Sequence, residues 1–177
     1  MSARINGIAH IQLTVLDAER CLPFWERFCK FMGMDTLIKG DDVIYSIGGR
    51  TGILVREAPR GQKSRGPEER SGGRFDQDRA GLHHFCFRAR SREDLEAISD
   101  FIEADPDATV VHGPEEGEHF APGYYSILFE DPDGIRVEVN HIPGKGHFGS
   151  KGQLGSGAGP RDEYYSASEF YGRDPEE

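Results

Sequence analysis

One short phrase occurs twice in this chain, and the repeat limits the folds that the chain can adopt. The two copies are Gly7–Val15 and Gly81–Ala89. In each copy a glycine, an aliphatic residue and one variable residue precede a histidine, after which apolar positions alternate. Alternation with a period of two is typical of a β-strand. The repeat therefore predicts internal two-fold symmetry that brings His10 and His84 to one place.

The residues that follow each copy predict the same order of elements: one helix and then three strands. Asp17 can cap the first helix, and Ser91 begins a sequence that resembles a capping box before the second helix. The strands are predicted at about 35–39, 42–47 and 51–57 in the first module, and at about 108–112, 123–130 and 134–141 in the second. The predicted fold class is α+β, with two βαβββ modules that form a curved mixed sheet around a cup.

Composition predicts four regions along the 177 residues. They are a first βαβββ module at 1–58, a polar linker or lid at 59–80, a second βαβββ module at 81–143 and a C-terminal tail at 144–177. The linker has no apolar periodicity. The tail is rich in Gly and Ser, and we expect no independent fold there.

Charge and cysteine content exclude several classes of function. The net charge of −10 argues against nucleic acid and against an anionic membrane as partners. Three cysteines without a C-x-x-C pair indicate neither a disulfide framework nor a structural zinc site, which favours a reducing compartment. No apolar run reaches membrane-spanning length, and the first residues do not read as the apolar h-region of a signal peptide. We therefore expect a cytoplasmic protein whose partner is a small molecule.

Glu138 adds a third side chain of the kind that binds metals. Strand alternation turns it toward the same cavity as the two histidines, where an unpaired carboxylate would be costly. One alternative is a salt bridge to Arg88 or Arg136. With His10 and His84, however, Glu138 completes a set of two histidines and one carboxylate with open positions for other ligands. We predict these three residues as the metal ligands.

The first module offers no carboxylate that matches Glu138. The predicted pairing of the last strands puts Leu54 at the equivalent position, and leucine cannot bind a metal. A shift of register would instead offer Glu57 as a fourth ligand. His83 is adjacent to His84, but strand alternation turns it to the opposite face of the sheet.

Taken together, these motifs resemble the vicinal oxygen chelate superfamily. It includes glyoxalase I, bleomycin and fosfomycin resistance proteins, methylmalonyl-CoA epimerase and extradiol dioxygenases. The resemblance rests on Gly-Ile-Ala-His-Ile, Leu-His-His-Phe-Cys-Phe and Asp-Pro-Asp-Gly-x-x-x-Glu, in this order, and covers about residues 5–142. It implies paired βαβββ modules forming a cup around a divalent metal that chelates vicinal substrate oxygens. It also implies a homodimer.

A further stretch resembles the signature of ring-cleaving dioxygenases. It begins at Gly117–His119 and ends at Glu138, but Leu128 stands where that signature has a tyrosine. The resemblance offers His119 as an acid–base group or substrate hydrogen-bond donor, and the alternative is a histidine on a surface loop. Tyr124 or Tyr125 could supply a phenol from nearby. The candidate catalytic residues are therefore His119 and Tyr125.

Three classes of activity are compatible with this site. The first is a dioxygenase that uses Fe(II), with Mn, Ni, Zn or Co as alternative ions. The second is a glyoxalase-like lyase, an isomerase or an epimerase, although Leu54 removes the carboxylate that serves as a base in glyoxalase-like members. The third is a non-catalytic protein that binds a drug or another ligand, as bleomycin resistance proteins do.

Overall fold

The computed structural model describes residues 7–59, 75–77, 80–117 and 120–143. Both modules have the predicted order of elements. The first contains β1 (His10–Val15), α1 (Ala18–Phe31), β2 (Asp35–Lys39), β3 (Val43–Gly48) and β4 (Thr51–Glu57). The second contains β5 (Phe85–Arg88), α2 (Arg92–Ala104), β6 (Thr109–Glu116), β7 (Tyr125–Glu130) and β8 (Arg136–His141).

Each module forms a four-stranded mixed sheet, and the two sheets have the same topology. The strand orders are β1-β4-β3-β2 and β5-β8-β7-β6. The first strand of each module lies parallel to the last strand of that module. The predicted α+β class with two βαβββ modules is confirmed. No helix in the described part of the chain is long and apolar enough to cross a membrane.

Helix α1 forms where the sequence predicts it. The Asp17 side chain accepts a hydrogen bond from the Arg20 backbone N–H at 3.2 Å and so caps the first turn. Phe24 and Phe28, which lie one turn apart on α1, are fully buried. Phe31, which has the same helical spacing, is 46% exposed, while Trp25 is fully buried. The buried face of α1 is therefore broad around Phe24 and Trp25, and it ends before Phe31, the last residue of the helix.

The chain forms two compact units whose boundaries differ from those of the modules. Of the described residues, the first unit contains 7–59, 75–77, 80–83, 105–109 and 130–135. The second unit contains 84–104, 110–117, 120–129 and 136–143. The turn between β7 and β8 thus belongs to the first unit, although both of its strands belong to the second module.

Buried hydrogen bonds hold this turn within the first unit. Asp131 Oδ1 accepts from the backbone N–H groups of Asp133 at 2.9 Å and Ile135 at 2.8 Å. Its Oδ2 accepts from Trp25 Nε1 at 3.0 Å. The backbone N–H of Leu16 donates to the Asp133 carboxylate. Asp131 is fully buried, so its carboxylate supplies an acceptor to three donors, from Trp25, Asp133 and Ile135, at a place that water does not reach.

The Asp131→Asn variant should lose about 1–3 kcal/mol of unfolding free energy. The amide oxygen can still accept hydrogen bonds from the two backbone N–H groups. The amide NH₂ then faces the Trp25 N–H, and because both groups are donors, no hydrogen bond forms between them. Urea denaturation measures the loss. In a Trp25→Phe background the same substitution should cost less, because the opposing donor is gone. An equal cost in both backgrounds would contradict this role for Asp131.

Candidate metal centre

A carboxylate on β8 is the centre of the candidate site. Glu138 pairs with Cys86 across the parallel strands β8 and β5, and His84 lies two residues before Cys86 on the same face. His84 Nε2 is 3.1 Å from Glu138 Oε2, and the two side chains are 35% and 13% exposed. The structure therefore brings together two of the three predicted metal ligands.

The other oxygen of the carboxylate is held by a tyrosine. The Tyr124 hydroxyl donates a hydrogen bond to Glu138 Oε1 and accepts one from Asn140 Nδ2 at 3.2 Å. Because Tyr124 holds Oε1 while His84 faces Oε2, the orientation of the carboxylate is fixed.

The site keeps the carboxylate charged and its neighbours protonated. Burial opposes ionisation of Glu138, but the hydrogen bonds from His84 and Tyr124 outweigh it and lower the pKa of Glu138. Burial and the contact with Glu138 raise the pKa of Tyr124. The charge of Glu138 also raises the pKa of the exposed Cys86 thiol. At neutral pH Glu138 is thus anionic, whereas Tyr124 and Cys86 keep their protons.

The first module repeats this arrangement without the carboxylate. His10 is the first residue of β1, and two residues later Gln12 pairs with Leu54 of β4. Leu54 therefore occupies the position that Glu138 occupies in the second module, as the sequence predicts. Glu57 lies three residues beyond Leu54 on β4, where it pairs with the buried Val15 of β1. It therefore faces the opposite side of the sheet from Leu54.

Within the described residues, no three His, Cys, Asp or Glu side chains lie close enough together to hold a metal ion. His84 and Glu138 meet in the second unit, whereas His10 belongs to the first. The set of three ligands thus stays a prediction.

Of the two tyrosines that the sequence leaves open, Tyr124 is the one that contacts Glu138. Tyr125 is buried, and its ring lies under the guanidinium of Arg92, 3.7 Å from the ring centroid. The register of the hairpin decides between the two tyrosines. The Asp131–Ile135 pairing puts even-numbered residues of this hairpin on the face of Glu138. His119 lies outside the described residues.

The sequence profile of the Glyoxalase/Bleomycin resistance protein/Dioxygenase superfamily matches residues 7–139. The chain belongs to this superfamily. The match includes both histidine-bearing strands and Glu138, so the family predicted from the motifs is confirmed. The superfamily contains many enzymes, and its members generally bind divalent metals and small-molecule substrates.

Individual relatives of the chain support the fold. The uncharacterized protein YqjT of Bacillus subtilis (strain 168) is 27% identical over 130 residues, which are 73% of this chain and 94% of that protein. Lactoylglutathione lyase from Agrobacterium tumefaciens has a TM-score of 0.53 at 22% identity, covering 78% of this chain and 96% of that one. A glyoxalase/bleomycin resistance protein from Albidiferax ferrireducens T118 has a TM-score of 0.57 at 17% identity, covering 77% and 98%.

Proposed function

We propose that this protein is a metal-dependent enzyme that binds a small substrate through two vicinal oxygens. Its metal ligands are His10, His84 and Glu138. The contact between His84 Nε2 and Glu138 Oε2, at 3.1 Å, is the observation that supports this most directly. Nitrogen and oxygen donors that share one metal ion each lie about 2.0–2.2 Å from it, so they would be within about 4 Å of each other. The spacing of the pair thus fits neighbouring ligands of a single ion.

The chemistry of the donor set agrees with this assignment. Two imidazoles and one carboxylate with open positions are typical of non-haem Fe(II) oxygenases, and the same donors accept Mn, Ni, Zn or Co. When bound, such an ion supplies Lewis-acid polarisation of the substrate oxygens and, as Fe(II), redox chemistry with O₂. Fe(II) is therefore the ion that we propose first.

The residues around Glu138 orient this ligand. Tyr124 engages Oε1, so Oε2 is the oxygen left for a metal ion. Asn140 donates to the Tyr124 hydroxyl and so directs its proton toward Glu138. Leu54 adds no ligand from the first module, which leaves positions for substrate oxygens.

Among reactions, we place ring-cleaving oxygenase chemistry first, because three protein ligands leave room for both a bidentate substrate and O₂. A lyase, isomerase or epimerase is the second candidate. It is favoured by Leu128, a buried apolar side chain at the position where the ring-cleaving signature has a tyrosine.

Metal analysis tests the proposed centre. Protein purified without chelators and reconstituted with Fe(II) or Co(II) should retain one ion per chain. The His10→Ala variant should lose it, because a ligand has been removed. Wild-type protein that retains no ion, or a His10→Ala variant that retains as much as wild type, contradicts the proposal. Tight ligand binding that survives Glu138→Ala would instead support a non-catalytic binding protein.

Oxygen dependence separates the two types of reaction. Fe(II)-loaded protein is offered a panel of catechols, and Co(II)- or Ni(II)-loaded protein a panel of 2-hydroxy ketones and hemithioacetals. Product that forms only with consumption of O₂ supports the oxygenase. Turnover under strictly anaerobic conditions supports the lyase or isomerase.

We also propose that the protein is a homodimer, since members of the superfamily often form dimers. Sedimentation equilibrium should then give a mass twice that of the chain. A monomer mass at micromolar concentration contradicts this.

A further inference from the structure

A tyrosine on the first sheet is packed in a way that only glycine permits. Tyr45 lies on β3, and its ring leans across Gly52 of the neighbouring strand β4. A Cβ atom at Gly52 would lie 2.5 Å from the Tyr45 hydroxyl oxygen and 2.6 Å from Cε2. Any other residue at this position would displace the ring. Gly52 is therefore a cradle for the phenol.

This cradle lies directly beside His10. Gly52 and His10 are partners across the parallel strands β4 and β1, and the Gly52 backbone N–H donates to the Ala9 carbonyl at 2.9 Å. Paired residues of neighbouring strands project to the same face, about 4.8 Å apart. The Tyr45 hydroxyl thus lies above the backbone position next to His10, on the face that carries the imidazole.

The Tyr45 hydroxyl is available to bind a ligand. Tyr45 is half-buried, and within the described part of the chain neither its hydroxyl nor the His10 imidazole takes part in a hydrogen bond. Tyr124 differs, because its hydroxyl already contacts both Glu138 and Asn140. A phenol whose ring is fixed in position and whose O–H group is not already hydrogen-bonded is a suitable donor to a ligand.

The two modules differ at two equivalent positions of their last two strands. Tyr45 pairs with Leu54 in the first module. In the second, the bond from the Asp131 N–H to the Ile135 carbonyl sets a register that puts Leu128 opposite Glu138. Tyr45 is thus the counterpart of Leu128, and Leu54 is the counterpart of Glu138. Each module thus carries one polar side chain at a position where the other carries leucine.

We infer that Tyr45 is a substrate-binding residue, whose hydroxyl donates a hydrogen bond to an oxygen of the ligand held beside His10. Gly52 keeps the ring in place. The inference rests on the proposed function, because it requires a metal at His10. The ligand class is a small molecule with two vicinal oxygens, of which at least one is anionic or enolic, such as a catecholate or the enediolate of a 2-hydroxy ketone.

Binding of a coloured catechol tests this. Co(II)-loaded protein is titrated with 4-nitrocatechol, whose absorbance changes when its oxygens bind a metal. Tyr45→Phe should weaken binding of this probe about ten-fold or more, because hydrogen bonds to charged acceptors are the strong ones. The affinity for Co(II) itself should stay within about two-fold of wild type, because Tyr45 is not a metal ligand.

Gly52→Ala provides a second variant with the phenol still present. It should weaken probe binding as Tyr45→Phe does, and adding Tyr45→Phe to it should have little further effect. Gly40→Ala is the matched control, since a Cβ there would meet nothing closer than Val43 Cγ1 at 3.4 Å. Thermal unfolding establishes that each variant is folded.

The outcomes separate this inference from the proposed function. Wild-type protein that takes up no Co(II) overturns the metal centre, and the inference with it. Wild-type protein that binds Co(II) and the probe, while Tyr45→Phe binds the probe equally well, overturns the inference alone. A large loss of Co(II) affinity in Tyr45→Phe also overturns it, because Tyr45 would then act on the metal.

Discussion

Replacing Glu138 with glutamine is expected to weaken divalent metal binding by at least about 100-fold and to leave the fold intact. Loss of a group that only supports a ligand already costs about 10–100-fold in metal affinity, so loss of the anionic ligand should cost more. Glutamine has the same shape and retains an oxygen that can accept from Tyr124. Titration calorimetry with Co(II) or Zn(II) measures the loss, and circular dichroism establishes the fold.

The repeat offers a reciprocal experiment. Leu54 stands at the position of Glu138 in the first module, so Leu54→Glu should restore much of the metal affinity in the Glu138→Gln background. Thr14→Glu adds the same charge to the same face, four residues beyond His10, and should not restore it. Rescue by both substitutions would indicate an effect of net charge rather than ligation. Unchanged affinity in Glu138→Gln would contradict the metal centre.

Removal of the Tyr124 hydroxyl should also cause a large loss of metal affinity. Tyr124→Phe is expected to lower metal affinity about 10- to 100-fold, as is usual when a group that orients a metal ligand is lost. Phenylalanine preserves the packing against Ala121 and Ile142, but Glu138 Oε1 loses its donor and the carboxylate can rotate. Competition with a coloured chelator for Co(II) measures the affinity.

Tyr125→Phe is the matched comparison, because Tyr125 is adjacent in sequence and its ring packs under Arg92. We expect its metal affinity to equal that of wild type. Asn140→Ala should give a smaller loss than Tyr124→Phe, since Asn140 acts on Glu138 only through the phenol. If Tyr125→Phe lowered metal affinity and Tyr124→Phe did not, the orienting role of Tyr124 would be wrong.

The sequence predicts those features that depend on local periodicity. Alternation identifies the strands that begin at His10 and follow His84, and the cap at Asp17 fixes the start of α1. The repeat then predicts that Leu54 and Glu138 are equivalent, and the strand register agrees. Each of these features is determined by residues within one strand or one helical turn, or by their repetition.

Features that depend on contacts between distant segments could not be predicted in this way. The choice of Tyr124 over Tyr125 depends on the register of a hairpin, where a shift of one residue reverses the face. The packing of Tyr45 on Gly52 joins two strands, and a glycine in a strand has several possible causes. The bond from Trp25 to Asp131 joins residues 106 positions apart.

That last bond also gives the protein an optical reporter. Trp25 is the only tryptophan in the chain, and its indole N–H is bound to the turn that immediately precedes β8, the strand of Glu138. Its fluorescence therefore comes from one known environment. The emission of unlabelled protein reports directly on whether this turn keeps its buried hydrogen bond as metal, ligand or denaturant is added.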